Sequence, residues 1–381
     1  MEALLESWSL LVILLCAFAI GWAAEAAQTF IPRALALSLL AWLQTLPEFA
    51  VEASIAWNQQ RDLMIANLTG SLRLIMGLGW PMIFFVHLFS QGLSKKKWIG
   101  EIKLDKEDFL SVLFLFLSIL YFAVILFKGS LNLWDSVVLT AIYVAYLYLS
   151  TKLPTHDVEE EEDLPWVSKK LVALPPGPKV MGVVALFLIG GAGLYFSVHP
   201  FINTLQKWSL GLGISTFVFV QWVAPFLSEF PEKVTAFNWA RQKNKAGLGV
   251  MNMVNSNINQ WTMLAAMIPM VFNLSLGALE PITFDEMHWH ELALTIAQSF
   301  LGGILLLDLR FSFLDAVVIF ALWLAQFIVS SWREEILYVY LAWAGIEIIR
   351  LVYHYTAHRR APRAVQEFLH FNWARKPRLD R

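Results

Sequence analysis

Long apolar runs, separated by short polar connections, recur from one end of this 381-residue chain to the other. A stretch of about 20 mostly apolar residues is what an α-helix needs to cross the hydrocarbon of a bilayer. The pattern predicts spans at 8–27, 34–57, 64–90, 109–128, 131–151, 180–199, 212–240, 249–274, 291–308, 312–330 and 335–354. The predicted fold class is an all-α polytopic membrane protein. The first run opens with Glu2 and Glu6 and has no basic stretch before it, so we expect a helix that stays rather than a cleaved leader.

The apolar pattern is interrupted twice in the same way. One copy reads Gln44-Thr45-Leu46-Pro47-Glu48, then Asn67-Leu68-Thr69-Gly70-Ser71. The other reads Ser228-Glu229-Phe230-Pro231-Glu232, then Asn252-Met253-Val254-Asn255-Ser256-Asn257. Later in each half, Leu133-Trp134-Asp135-Ser136-Val137-Val138 resembles Phe313-Leu314-Asp315-Ala316-Val317-Val318. Helices one to five thus match helices six to ten. Five is odd, so the second half enters the membrane in the opposite sense. The expected layout is about ten core transmembrane helices as two inverted five-helix repeats, plus one extra C-terminal helix. Such repeats are a transporter architecture, with the binding site near the midplane where the halves meet. The expected divisions are a first repeat at 1–152, a linker at 153–179, a second repeat at 180–330, and helix eleven with a basic tail at 331–381.

Composition supports the membrane reading. Hydrophobic residues make up 58% of the chain and charged residues 15%, against about 25% charged in soluble domains. Basic residues fall on alternate connections: Arg33; Lys95, Lys96, Lys97, Lys103 and Lys106; Lys152, Lys169, Lys170 and Lys179; Arg241, Lys243 and Lys245; Arg310; and the tail from Arg359 to Arg381. The opposite connections hold only Arg61, Lys128, Lys207 and Arg333. Positive residues stay inside, so the N-terminus is expected outside and the C-terminus in the cytoplasm, with the plasma (inner) membrane of a prokaryote as location. The single Cys16 excludes an intramolecular disulfide.

Proline lacks an N–H, so Pro47 leaves the Leu43 carbonyl without its helical partner and Pro231 does the same at Leu227. A bare carbonyl at membrane depth must be buried in protein, wetted or bound to a cation. Glu48 and Glu232 add two carboxylates, and intramembrane acids default to function. Carboxylates, carbonyls and hydroxyls form a hard-oxygen set that suits calcium. Helical phase puts Gln44, Thr45, Glu48 and Glu52 on one face, and Ser228, Glu229, Glu232 and Thr235 on another. Ser256 stacks on Gln260, whereas Ser71 stacks on apolar Ile75.

At these residues the sequence resembles the cation/calcium antiporter superfamily, and within it the membrane region of sodium/calcium exchangers. The matching positions are Pro47, Glu48, Asn67, Gly70 and Ser71, then Pro231, Glu232, Asn252, Ser256 and Asn257. The resemblance implies a secondary-active cation antiporter without a cofactor, exchanging calcium for sodium or protons by alternating access. It implies Glu48 and Glu232 as paired carboxylate ligands, and neutral oxygens from Ser71, Ser256, Asn257, Gln260, Gln44, Thr45 and Ser228. Glu52 and Glu229 are supporting charges. The chain departs from the family pattern at Leu72, Ile75, Asn255 and Gln260, while Arg73 and Lys233 stand near enough to neutralise the site. It therefore reads as a divergent member. The competing reading is an exchanger-fold protein with altered ion specificity, or a non-transporting scaffold or sensor. An ion pair from Arg73 or Lys233 to Glu48 or Glu232 would favour it.

Other signals carry less. The acidic run Asp157 to Asp163 reads as a solvated linker, because it lacks the glycine and ligand spacing of a calcium loop. His288-Trp289-His290 reads as part of an external loop and lacks the spacing of a zinc protease helix. No nucleophile elbow, phosphate loop or redox cysteine pair suggests an enzyme. The basic tail suits anionic lipid. Expected partners are membrane lipid and inorganic cations, not nucleic acid.

Overall fold

The computed structural model describes residues 7–27, 40–92, 98–153, 164–358 and 361–371. The acidic run 157–163, the basic residues Arg33, Lys95, Lys96 and Lys97, and tail residues 372–381 lie outside the described residues. Helix α1 is Trp8–Ala27. A helical stretch over 40–44 leads through Thr45 into α2, Leu46–Trp57. Then come α3 (Arg61–Gly92), α4 (Phe109–Lys128) and α5 (Leu133–Ser150). A short α6 (Trp166–Val172) precedes α7 (Pro176–Leu212), α8 (Thr216–Ser228) and α9 (Phe230–Arg241). Helix α10 covers 246–276, followed by α11 (Glu286–Leu306), α12 (Phe313–Ile328), α13 (Arg333–His358) and α14 (Arg363–His370).

The inverted repeat is visible in local geometry. Helix α3 loosens into a π turn at Ile75–Gly79, and α10 does so at Gln260–Leu264. Helix α5 begins with a capping box between Asn132 and Asp135, and α12 with one between Ser312 and Asp315. The matched Asp residues of the sequence are thus both third-position cap carboxylates, which satisfy orphan N–H groups at a helix start. Positive φ angles also occur in register: Gln59 with Asn244, and Gly129 with Leu309. Strand β1 (Glu101–Lys103) pairs antiparallel with β4 (Arg310–Ser312), and β2 (Ser130–Leu131) with β3 (Ile282–Thr283). Each ladder joins one half to the other, and the repeat exchanges the two ladders.

Several predicted boundaries move. The span expected at 180–199 extends to Leu212, because Pro200 sits inside α7 rather than ending it. The span expected at 212–240 breaks at Glu229, which has φ −98° and joins α8 to α9. Pro47 and Pro231 then fall in the first turn of α2 and α9, where a missing N–H is harmless. Part of the predicted linker is helical, as α6 and the first turn of α7.

The outer surface of the bundle is apolar. Leu188, Ile189, Tyr195 and Phe196 on α7, and Ile346, Ile349 and Val352 on α13, are exposed. Patches of that extent mark contact with lipid or protein rather than water. Helices α1 and α7 approach closely through glycine: a Cβ at Gly190 would lie 3.2 Å from the Cys16 carbonyl.

Candidate cation site

The polar residues that break the apolar pattern meet inside the bundle. Gln44, Thr45, Glu48, Glu52, Ser71, Ser228, Glu229, Glu232, Ser256, Asn257 and Gln260 are all buried. Glu48, on the first turn of α2, accepts hydrogen bonds from Asn67 of α3 and Ser228 of α8. Asn67 also donates to Glu52 at 2.7 Å. Glu232, on the first turn of α9, accepts from Ser256 of α10 and from Asn252 at 3.4 Å. Asn252 donates to Gln44 at 3.4 Å as well, and Asn259 donates to Thr45. Glu229 accepts from Ser71 and, at 2.7 Å, from Gln260. Asn257 donates to the Leu72 carbonyl at 3.3 Å. Every carboxylate except Glu52 is thus contacted from both sequence halves or sits beside a residue that is.

Of the two nearby cations, one pairs inside the cluster and the other outside it. Lys233 pairs with Glu229 at 2.7 Å. Arg73 pairs with Glu291 of α11 at 2.5 Å and donates to Gln326 of α12 at 2.9 Å. Among the described residues, neither ion-pairs with Glu48 or Glu232, so the ion pair that would favour a scaffold is not formed. Among the described residues, the ion pair within the group of Glu48, Glu52, Glu229 and Glu232 is that of Lys233 with Glu229. Several buried oxygens accept no hydrogen bond from the described residues: Glu52 Oε1, Glu232 Oε2, Asn67 Oδ1, Asn252 Oδ1, Asn257 Oδ1 and Gln260 Oε1. Buried polar atoms are normally satisfied. A group of orphaned oxygens on crossing helices is the chemistry expected of a cation path. Among the described residues, no three His, Cys, Asp or Glu side chains form a ready cage by themselves. A bound ion would draw on the neutral amide and hydroxyl oxygens too.

Sequence reading missed some participants. Asn67 and Asn252 were motif matches but not candidate ligands, yet they tie α3 and α10 to the carboxylates. Glu291 stood beside an unpromising His cluster; it is buried and held by Arg73 and by Arg333 of α13. His288 lies in the first turn of α11 rather than on a loop, 3.2 Å from Asp62 and 3.1 Å from Asp285. Helix α13, the extra C-terminal helix expected beyond the two repeats, is fixed to the core by Arg333 and by Tyr340, which accepts from Gln326 at 3.3 Å. Glu25 of α1 was overlooked. The available signal was an acid within an apolar span.

This architecture is that of a polytopic membrane protein built from two inverted repeats around a buried, oxygen-lined centre. The chain belongs to the sodium/calcium exchanger protein family, which matches residues 3–152 and 182–332. It is 32% identical to a structure described as the H+/Ca2+ exchanger CAX, covering 96% of this chain and 90% of that one, with a TM-score of 0.85. The sodium–calcium exchanger NCX_Mj, soaked with sodium and strontium, shares the fold at 18% identity and a TM-score of 0.56, covering 86% of this chain and 99% of that one. An uncharacterised membrane protein of Methanocaldococcus jannaschii is 26% identical over 214 residues, 56% of this chain and 62% of that relative, so the match spans less than two thirds of the relative's length.

Proposed function

We propose that the protein is a secondary-active antiporter that carries a divalent cation, calcium foremost, against protons or sodium by alternating access. The observation that carries this reading is the set of buried carboxylates on Glu48, Glu52 and Glu232 with no ion pair among the described residues. A buried, ionised and unpaired carboxylate is strongly unfavourable, so these groups need mobile positive charge. Glu48 and Glu232 supply one charge from each half. Ser71, Ser256, Asn257, Gln260, Gln44, Thr45 and Ser228 supply neutral oxygens, and their hydroxyls and amides can turn an oxygen toward an ion. Glu229, tied to Lys233, sets the local field. Similarity to an H+/Ca2+ exchanger favours protons as counter-ion, since a carboxylate that releases a divalent ion can take a proton in its place.

The test is calcium-45 flux in proteoliposomes under imposed proton and sodium gradients. Flux driven by one gradient supports the reading and identifies the counter-ion. No flux of any common cation under either gradient would return the protein to the scaffold reading.

A further inference from the structure

One buried carboxylate stands apart from the paired site. Glu25 is 2% exposed, near the end of α1. It accepts from two hydroxyls: Thr235 Oγ1 to Oε1 at 2.8 Å and Ser168 Oγ to Oε2 at 2.8 Å. Thr235 lies one turn beyond Glu232 on α9. Ser168 belongs to α6, in the segment that joins the two halves. From Thr235 the contacts lead inward. Gln44 donates to Thr235 at 3.4 Å, and Asn252 donates at 3.4 Å to both Gln44 and Glu232. None of these six side chains is more than 5% exposed. A buried line of oxygen-bearing groups therefore runs from Glu232 to Glu25, whose second oxygen accepts from Ser168 of the joining segment.

A purely structural role accounts poorly for Glu25. Among the described residues it forms no ion pair, and a buried unpaired carboxylate is far less favourable there than an amide or an apolar group. Its donors are hydroxyls, which can rotate from donating to a carboxylate to presenting oxygen to a cation. The inward links at 3.4 Å are at the long limit of hydrogen bonding, so they part easily. We infer that Glu25 is a third transport carboxylate, handing cations between Glu232 and the side of the membrane that holds α6, where Ser168 hydrogen-bonds it. This rests on the antiporter reading. It adds a station on one side only: the paired site binds, and Glu25 sets how fast ions reach it.

The experiment compares Glu25→Gln, Glu25→Asp, Thr235→Val and Glu232→Gln in the full chain. Calcium-45 flux is measured in proteoliposomes and equilibrium calcium binding by calorimetry in detergent. Glu25→Gln should slow flux by about tenfold or more, as loss of a positioned transfer group does, while calcium affinity stays within about twofold. Glu25→Asp should restore part of the rate. Thr235→Val keeps the carboxylate but cuts the line, and should slow flux without weakening binding. Wild-type flux in Glu25→Gln, or equal loss of binding and flux, overturns the relay. Should Glu25→Gln not fold, wild-type flux in Thr235→Val overturns it. If Glu232→Gln abolishes flux while Glu25→Gln does not alter it, the relay fails and the antiporter reading stands.

Discussion

What stands within about 4 Å of a buried carboxylate decides whether its counter-charge is fixed or mobile. Glu291 has fixed partners, Arg73 and Arg333. Among the described residues, Glu48 and Glu232 have hydroxyl and amide donors and no ion pair. The same substitution should therefore do different things at these positions. Glu48→Gln and Glu232→Gln should leave the melting temperature in detergent close to wild type and lower calcium binding by roughly 100-fold, equivalent to about 2.7 kcal/mol. Under the proposed antiport, each removes one of two charges that would face a divalent ion in a low-dielectric setting. Glu52→Gln should have a smaller effect, because Asn67 sits between Glu52 and Glu48. Glu291→Gln should instead destabilise the fold by about 3–5 kcal/mol, since it removes the charge that compensates buried Arg73 and part-buried Arg333. Calorimetric binding and thermal unfolding read the two outcomes separately. Normal calcium binding in both Glu48→Gln and Glu232→Gln would remove the paired site.

Among the elements, close approach between the halves is the demanding feature. A Cβ on Gly70 of α3 would overlap the carbonyl of Gln221 on α8. Gly70→Ala should push these helices apart, so the site loses its Ser71–Glu229 contact and both stability and flux fall. Leu309 offers a finer comparison, since it holds φ +54° where its repeat mate is Gly129 at +75°. Glycine there would relieve about 1–2 kcal/mol of left-handed strain. Leu309 is only 3% exposed, and losing a buried leucine forfeits about 1.5–3 kcal/mol plus a cavity contribution. Leu309→Gly should therefore lower the melting temperature. Most of this layer was legible in the sequence. The Pro-Glu pairs marked α2 and α9, and the paired Asp motifs marked the starts of α5 and α12. The breaks at Thr45 and Glu229 were not legible, because a proline can kink, end or open a helix, and tertiary contacts choose among these. The partner of Arg73 was not legible either, since Glu291 lies 218 residues from it in the chain, whereas the Lys233–Glu229 pair has the i,i+4 spacing of helix neighbours.

At the scale of the whole molecule, the two small ladders state the pseudo-symmetry most directly. β1 and β4 join the connection after α3 to the one after α11; β2 and β3 join the connection after α4 to the one after α10. The connections of one ladder therefore follow helices that cross in one sense, and those of the other follow helices that cross in the opposite sense. The ladders must lie on opposite faces of the membrane. Helix α14 docks on the β1–β4 face, where the Ala364 N–H donates to the Leu307 carbonyl at 2.9 Å. That face carries Lys103 and Arg310, and the positive-inside bias predicts that it faces the cytoplasm. The expectation can be checked with single cysteines in a Cys16→Ala background. Lys103 is 78% exposed at its side chain, on β1; Leu279 is 84% exposed, just before β3. A membrane-impermeant maleimide added to intact cells should label Leu279→Cys and leave Lys103→Cys unmodified; inverted vesicles should give the reverse. Labelling of both positions from one side would contradict the placement of the ladders on opposite faces, and with it the inverted crossing that brings Glu48 and Glu232 to a common centre. A clean exchange of the two patterns would keep the fold but turn the protein over, placing Glu25 and its Ser168 partner on the outer face.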